Sequence, residues 1–493
     1  MIIVTVRESS VADARRAVSV LGPGAGGVEM RLDDLAGQDW GSVIAGCRWP
    51  VIATCRRRNE HGGFTGSETE RRRLLRKALA AGAFKIDVEA GAFARSFLDE
   101  VPHRRLLVSV HEYRPGTTFL SGHADDLMAL PRGVSVKLAY TPRRVSDCLA
   151  GRSLLARARR EGREMTLVPM GEAGVPGRIL ALSWGSAWSY AAPDGAPPVA
   201  PGQSSLFELA DLYRASGIGP DTVLTGLLGW PTAPSLSPWM HNRAARDAGR
   251  DARYLPFPEE DAADFLVNAA AWGLQGVSVT HPHKERVLPW LDELTDAARG
   301  CGAVNTLSFT GSRCLGDNTD APASLAALEQ VWPAGQGLAG KCMAIVGAGG
   351  AARAVAWAAS RAGIRVTLYN RDPGRGEAAA AAVGAVRRPL EALAEAQADI
   401  LVNATPVGMW PRVGECPVPE EAIRAKVIFD LVSNPVETCL LKCGRAVGAL
   451  VQNGLAMLVR QGEAQYRAWH GSPPPPGAFQ AAAWEGLRRR EQL

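Results

Sequence analysis

No stretch of the 493 residues is apolar for long enough to span a bilayer, which takes about 20 consecutive residues, so a helical membrane protein is excluded. The opening MIIVTVRESS runs directly into a strand-like pattern and lacks the layout of a secretory signal. Cysteine is sparse. Its nine copies are scattered without a disulfide framework, and Cys439 and Cys443 have no nearby histidine, so neither bridges nor zinc is expected. A reducing cytoplasm is the expected compartment. Charge of one sign is also scarce: the net value is +5. Arg56 to Arg58 and Arg71 to Arg73 read as solvated faces, so neither nucleic acid nor membrane is an expected partner. What is present is length, enough for about two to four domains with their own cores.

The stretch Lys341 to Arg375 organises the second half. A short apolar run, Met343 to Val346, breaks at Gly347-Ala348-Gly349-Gly350, an Ala-rich helical pattern follows, and a second apolar run spans Val366 to Tyr369. A strand, a glycine turn and a helix in that order aim backbone N–H groups at a pyrophosphate. Gly347 allows the tight turn, Gly349 the close approach of phosphate, and Ala352 stands where a small residue lets helix pack on strand. An NAD site wants an acidic residue at the end of the second strand. Here Asn370, Arg371 and Arg375 suit a 2′-phosphate, so NADP is expected, with Asp372 the dissenting charge.

From residue 1 to about 205, short apolar runs recur: Ile2–Val6, Val28–Leu32, Val51–Thr54, Phe84–Val88, Leu106–Val110, Val134–Leu138, Met165–Val168 and Ile179–Leu182. Helical stretches such as Glu68 to Ala81 lie between most of them. Eight strands alternating with helices predict a parallel (β/α)8 TIM barrel, with a doubly wound sheet as the alternative. Barrel active sites lie at the C-terminal strand ends. Those ends carry Glu29 and Arg31, Arg56 and Glu60, Asp87 and Glu89, His111 and Lys137, with Arg178 a little before the eighth run. Lys137 interrupts an apolar run, so it points into the barrel mouth. If burial depresses its pKa, the neutral amine can form a Schiff base; the competing reading pairs it with Glu29 or Asp87. His111, titrating near neutrality, suits proton transfer beside an imine, or is a core histidine satisfied by backbone.

The set VEMRLD (Val28–Asp33), TCRRRNEHGG (Thr54–Gly63), IDVE (Ile86–Glu89), VSVHEY (Val108–Tyr113), VKLA (Val136–Ala139), MGEAGVPGR (Met170–Arg178) and APGQ (Ala200–Gln203) resembles type I 3-dehydroquinate dehydratase. The resemblance implies Lys137 as the imine lysine and His111 as general acid/base. It implies Glu29, Arg31 and Arg56 on substrate hydroxyls, Arg178 on the carboxylate, and Gln203 with Glu60 closing the site. Glu112 after His111, His61 before the glycine pair and Val199 before APGQ depart from the family's usual residues. The Pro-rich Ala191–Gln203 becomes the last loop over the barrel mouth, which puts a first domain at 1–206.

Beyond Asp221 the pattern changes. GWPTAPSLSPWMHN (Gly229–Asn242) brings Ser235 and Ser237, donors for a carboxylate or helix caps. GVSVTHPHKE (Gly276–Glu285) carries two histidines without a third ligand at metal spacing, so no metal is expected, and Lys284 is the candidate proton carrier. Six motifs, SLSP, VTHPHK, GAVNT, DNTD, GAGGAARA and NATPVGM, are similar to shikimate dehydrogenase over about 221 to 480. The resemblance implies Lys284 and Asp320 as the catalytic pair, Ser235 and Ser237 on the carboxylate, and Thr280, Asn305 and Gln461 on ring hydroxyls. It puts Gly347, Gly349, Gly350, Ala351 and Thr405 at the cofactor, and Gly454 and Met457 at the nicotinamide. Ser433 replaces a usual tyrosine, Ser278 a frequent asparagine, Pro234 a histidine and Ala321 a glycine.

The resulting expectation is an N-terminal barrel followed by a two-lobed α/β dehydrogenase. Its substrate lobe would span 221–325 with 454–480, its Rossmann NADP lobe 326–453, and the GSPPPPGAF tail would be a mobile extension. The expected function is dehydration of 3-dehydroquinate followed by NADPH-dependent reduction of 3-dehydroshikimate to shikimate. The alternatives are a quinate/shikimate dehydrogenase with a non-catalytic barrel, and a binding protein without chemistry.

Overall fold

The computed structural model describes residues 1–35 and 37–491. The chain divides into two compact units, 1–222 with 255–272, and 223–254 with 273–493. In the first, eight parallel strands form a nearly closed barrel: β1 Ile2–Val6, β2 Gly27–Arg31, β3 Val51–Thr54, β4 Lys85–Glu89, β5 Leu106–Pro115, β6 Ser135–Thr141, β7 Met165–Pro169 and β8 Ser189–Ala191. The sheet order is β7-β6-β5-β4-β3-β2-β1-β8. Ala187 N donates to Met165 O at 2.8 Å, bringing the chain ahead of β8 up to β7. Crossover helices have ordinary local causes; Glu68–Ala80, for instance, begins in a Ser67–Glu70 capping box.

One expected strand was misplaced. Ile179–Leu182 is not the eighth strand, because Val175–Leu180 is a helix and Arg178 sits on it. That short helix is buried on nearly every side, and a wholly apolar short run does not distinguish helix from strand. Alternation along the true strands sends Ile3, Ile52, Leu107, Val168, Trp188 and Tyr190 into the barrel as an apolar plug. The ionisable residues sit above it.

The second unit holds two sheets. In the first, β9 Val223–Gly229, β10 Ala252–Pro258, β11 Leu274–Val279, β12 Glu293–Leu294, β13 Thr306–Thr310 and β14 Arg313–Asp317 take the order β10-β9-β11-β13-β14-β12. The other is wholly parallel: β15 Cys342–Val346, β16 Arg365–Tyr369, β17 Val386–Arg388, β18 Ile400–Asn403, β19 Val427–Asp430 and β20 Leu450–Gln452, ordered β17-β16-β15-β18-β19-β20. This is the doubly wound nucleotide-binding order, and the strand order reverses between β15 and β18. Ala352, Val355, Ala356 and Ala359 of the helix Gly350–Arg361 pack on that sheet.

Past the nucleotide sheet the chain returns to the first. In the helix Gly454–His470, Trp469 Nε1 donates to Leu307 O at 3.0 Å. A Cβ on Gly276 would lie 2.0 Å from the same indole, so only glycine admits that approach. The tail corrects a second expectation. Instead of a mobile extension, Ala478–Glu491 forms a helix whose Phe479, Ala482, Ala483 and Leu487 pack with Leu236 and Met240.

Candidate active sites

Alternation on β2, β3, β4, β5 and β6 delivers Glu29, Arg56, Asp87, His111 and Lys137 to one polar cluster. Lys137 Nζ donates to Asp87 Oδ2 at 2.8 Å and Glu29 Oε1 at 3.4 Å, and it lies 4.5 Å from the centroid of the Tyr190 ring. Burial pulls the lysine pKa down, but Asp87 and Glu29 outweigh it and hold the group above its ordinary value. In this arrangement Lys137 is an ammonium. The expectation that burial alone leaves it neutral is corrected, and the carboxylate-paired alternative is the one observed. Burial raises the Asp87 carboxyl, yet Lys137 and Arg56 carry it below the ordinary carboxylate range. Glu29, also fixed by Thr5 at 3.0 Å and Thr54 at 2.9 Å, is lowered in the same way.

His111 departs from the expected near-neutral titration. Burial first, then Arg56 and Lys137, hold its pKa well below the ordinary histidine value. Arg56 Nη1 lies 2.9 Å from His111 Nδ1, which makes Nδ1 the acceptor and puts the ring proton on Nε2. Glu112 does not orient this imidazole; its carboxylate accepts from Arg114 and His123. Arg31 makes a bidentate pair with Asp33, whose carboxylate also accepts from Gly63 N at 2.9 Å. Burial and Glu89 raise the Glu60 carboxyl. Gln203 Nε2 donates to Thr5 Oγ1 at 3.4 Å, tying the last loop to β1. Arg178 is 2% exposed with its Nε unpartnered, and burial pushes its pKa down to about 10. It donates through Nη2 to Pro201 O at 3.3 Å, and among the described residues no carboxylate pairs with it, which makes this buried guanidinium a ready anion site.

In the second unit a cavity of about 180 Å³ is lined by Ser235, Ser237, Thr280, Lys284, Asn305, Asp320 and Gln461, together with Ala351, Gly454 and Met457. Motifs spread over more than two hundred residues therefore meet in one wall. Lys284 Nζ donates to Asp320 Oδ2 at 2.5 Å. Asp320 opens the helix Asp320–Val331, where the helix dipole favours a carboxylate. Ser235 Oγ accepts from Ser237 N at 3.1 Å, but the N-cap of the helix Ser237–Asp247 is Leu236 with no side-chain cap bond, so neither serine is a helix cap, and both line the cavity. Asn305 Nδ2 donates to Thr319 Oγ1 at 2.9 Å and to Gln461 Oε1 at 3.3 Å. Reading the sequence missed Gln465, Leu431 and Leu458 in the lining. Gln465 had a signal, since it stands one helical turn beyond Gln461.

The glycine turn fits a dinucleotide. Gly347 has φ +119°, and a Cβ there would meet Ala404 O at 3.0 Å. A Cβ on Gly350 would meet Lys284 Cβ at 2.9 Å, so the turn and Lys284 touch. Thr405 donates through N and Oγ1 to Asn403 Oδ1, and Asn403 Nδ2 donates to Asp430 at 2.9 Å, which fixes the loop after β18. Asp372 no longer dissents: its Oδ1 caps the helix Pro373–Val383 by accepting from Arg375 N at 3.0 Å. Asn370 Nδ2 donates to Asp372 O at 2.9 Å, and Arg371 and Arg375 are exposed beside it. Arg388, at the end of neighbouring β17, joins this basic edge and was not anticipated.

Four family models match in chain order: type I 3-dehydroquinase over residues 2–220, shikimate dehydrogenase substrate binding domain over 227–307, D-isomer specific 2-hydroxyacid dehydrogenase NAD binding domain over 322–409, and shikimate 5′-dehydrogenase C-terminal domain over 454–483. The chain is 33% identical over 478 residues to a bifunctional 3-dehydroquinate dehydratase/shikimate dehydrogenase, chloroplastic, from Arabidopsis thaliana, covering 92% of this chain and 79% of that protein. It is 39% identical over 290 residues to a shikimate dehydrogenase (NADP(+)) from Symbiobacterium thermophilum, covering 56% of this chain and 97% of the relative. A crystal structure of a shikimate dehydrogenase in complex with NADP+ aligns with TM-score 0.50 and 33% identity over 55% of this chain and 97% of that one. With the barrel cluster, the reductase pocket and the glycine turn in one order along one polypeptide, the chain belongs to the family of bifunctional 3-dehydroquinate dehydratase/shikimate dehydrogenases.

Proposed function

We propose that the chain acts twice on one six-membered ring, dehydrating 3-dehydroquinate in the barrel and reducing the resulting 3-dehydroshikimate to shikimate with NADPH in the second unit. The observation that carries this reading is a pair of carboxylate-held lysines, one in each unit: buried Lys137 between Asp87 and Glu29 in the barrel, and half-buried Lys284 on Asp320 in the cavity of the second unit.

In the barrel the Lys137 ammonium, held by Asp87 at 2.8 Å, must lose its proton before the amine can act. The amine then attacks the ketone carbon, a C–N bond forms, and water leaves as the imine is completed. The iminium draws electrons from the neighbouring carbon. His111, held neutral, takes the proton released there and returns one to the departing hydroxyl, and a water then adds to the iminium carbon and breaks the C–N bond, releasing 3-dehydroshikimate and the free lysine. Arg178 pairs with the substrate carboxylate, and Glu29, Arg31 and Arg56 orient its hydroxyls. Gln203 and Glu60 close the mouth.

In the second unit Ser235 and Ser237 hold the carboxylate, while Thr280, Asn305 and Gln461 hold ring hydroxyls. Lys284 delivers a proton to the reacting oxygen, and Asp320 keeps that ammonium oriented. NADP, when bound, supplies or accepts the hydride. Gly347, Gly349, Gly350 and Ala351 would hold its pyrophosphate. Asn370, Arg371 and Arg375 would hold its 2′-phosphate, and Thr405, Gly454 and Met457 would flank its nicotinamide. The Asp372 carboxylate has a structural task of its own, capping the helix Pro373–Val383 through Oδ1. Nine free cysteines suit a reducing compartment such as the cytoplasm.

One cuvette tests the whole reading. Pure protein with 3-dehydroquinate and NADPH is expected to form shikimate with matching loss of NADPH, and borohydride with 3-dehydroquinate is expected to leave a covalent adduct on Lys137. Reduction of added 3-dehydroshikimate without any adduct would leave only the reductase. Ser433 in the pocket lining, in place of a bulkier tyrosine, favours a second reading in which quinate is the better substrate. Comparing kcat/KM for quinate and shikimate decides between them.

A further inference from the structure

The hydrogen-bond direction of one pocket wall is set by a residue outside the pocket. Gln465 Nε2 donates to Asn305 O and to Thr306 Oγ1, each at 3.0 Å, so its Oε1 is left to accept. Ser278 Oγ donates to that oxygen at 2.7 Å. Tyr254 OH donates to Ser278 Oγ, also at 2.7 Å, and the Ser237 side chain hydrogen-bonds the same phenol. Ser278 lines the cavity, yet its proton is committed and one of its lone pairs is filled. What it offers a ligand is a single acceptor site. Tyr254 is 1% exposed, and its ring stacks on His241 with centroids 4.2 Å apart and planes at 8°, which fixes where the phenol points.

We infer that Tyr254 is a positioning residue that, acting through Ser278, makes this wall a hydrogen-bond acceptor and so selects a substrate ring bearing a hydroxyl donor at that place. The inference rests on the reading of this pocket as the reductase site. A serine alone rotates among three staggered positions and presents donor or acceptor in turn. Clamped between a phenol donor and an amide oxygen, it presents one face only. An asparagine at 278 would carry its own fixed acceptor and two donors, and so would not need the tyrosine. The tyrosine and the serine therefore form one specificity element, the buried partner supplying the order that the shorter side chain lacks.

The test is Tyr254→Phe in the full chain, which keeps the ring and its stacking and removes only the phenolic O–H. The KM for shikimate is expected to rise about five- to tenfold, the effect of one lost orienting hydrogen bond, with kcat within about twofold and the KM for NADP unchanged. Discrimination between shikimate and one of its mono-deoxy analogues is expected to fall by the same factor. Adding Ser278→Asn to Tyr254→Phe is expected to bring the shikimate KM back toward the wild-type value. The inference is overturned if KM and analogue discrimination stay within about twofold of wild type, whatever happens to Tm, or if kcat falls while KM holds. Wild-type protein that does not turn over shikimate would overturn the reading of the pocket and this inference together.

Discussion

At the scale of single residues, Lys137 shows why the charge of a buried amine cannot be read from burial alone. Desolvation and an adjacent carboxylate push a lysine pKa in opposite directions, and at Lys137 the carboxylates win. Asp87 is the larger contributor, so Asp87→Asn is expected to move the pH midpoint for covalent modification of Lys137 downward, because removing an anion disfavours the ammonium. The measurement is the pH dependence of acylation at Lys137 read by mass spectrometry, and an unmoved midpoint would mean that Asp87 does not hold the proton. The same change removes one of the two carboxylates that pair Arg56, Asp87 at 3.2 Å, and leaves it Glu89 at 3.5 Å, so stability should fall by about 1.5–3 kcal/mol in chemical denaturation, the range for a lost hydrogen bond to a charged group. The type and place of these residues were legible in the sequence, since strand alternation put Glu29, Asp87 and Lys137 on one face. The charge state was not, because it depends on distances of a few ångströms between strands far apart in the chain. Asp372 makes the same point: as a charge it argued against NADP, and as a cap it is neutral on the question. Tyr254 carried no signal at all, being one apolar-looking residue of a buried strand.

At the scale of elements, the legible parts are those whose pattern has a single reading. The strand–glycine turn–helix of Met343 to Arg361 was one, and seven barrel strands were others. The eighth was not. A helix buried on nearly every side, Val175–Leu180, presents the same short apolar run as a strand, while β8 itself is three residues of which one is serine. The tail failed for a different reason. Its proline run drew attention from Phe479, Ala482, Ala483 and Leu487, which lie at helical spacing on one face. The glycine turn also yields a prediction that belongs to the element. In Gly350→Ala the new Cβ would lie 2.9 Å from Lys284 Cβ and 3.0 Å from its Cδ, so helix and lysine must move apart. Because Lys284 then leaves its place on Asp320, kcat for shikimate oxidation is expected to fall about 10²-fold, the range for a displaced proton carrier, with a higher KM for NADP. Steady-state kinetics with both substrates varied checks it, and an unchanged kcat would show that the turn does not position the lysine.

At the scale of the whole molecule, the two units are chemically complete in themselves. Among the described residues, those converging on Lys137 come from within 1–222, and those lining the cavity around Lys284 come from 223–254 and 273–493. Each set of described site residues is drawn from a single unit, so each activity is expected to survive the loss of its counterpart. An equal mixture of Lys137→Ala and Lys284→Ala chains holds half of each activity per chain. If 3-dehydroshikimate is released to solvent between steps, that mixture converts 3-dehydroquinate to shikimate at about half the wild-type steady rate, with the lag that a freely diffusing intermediate imposes. Transfer within one chain raises the local concentration of the intermediate and depends on the tether, and mixing separate chains abolishes it. Completeness of each site argues for the first outcome, and the observable is the ratio of wild-type to mixture flux at equal total chain. A ratio near two, constant as the enzyme is diluted, means that the fusion ties the two activities in stoichiometry alone. A ratio that climbs well above two on dilution means that the ring passes from one lysine to the next without leaving the neighbourhood of its own polypeptide.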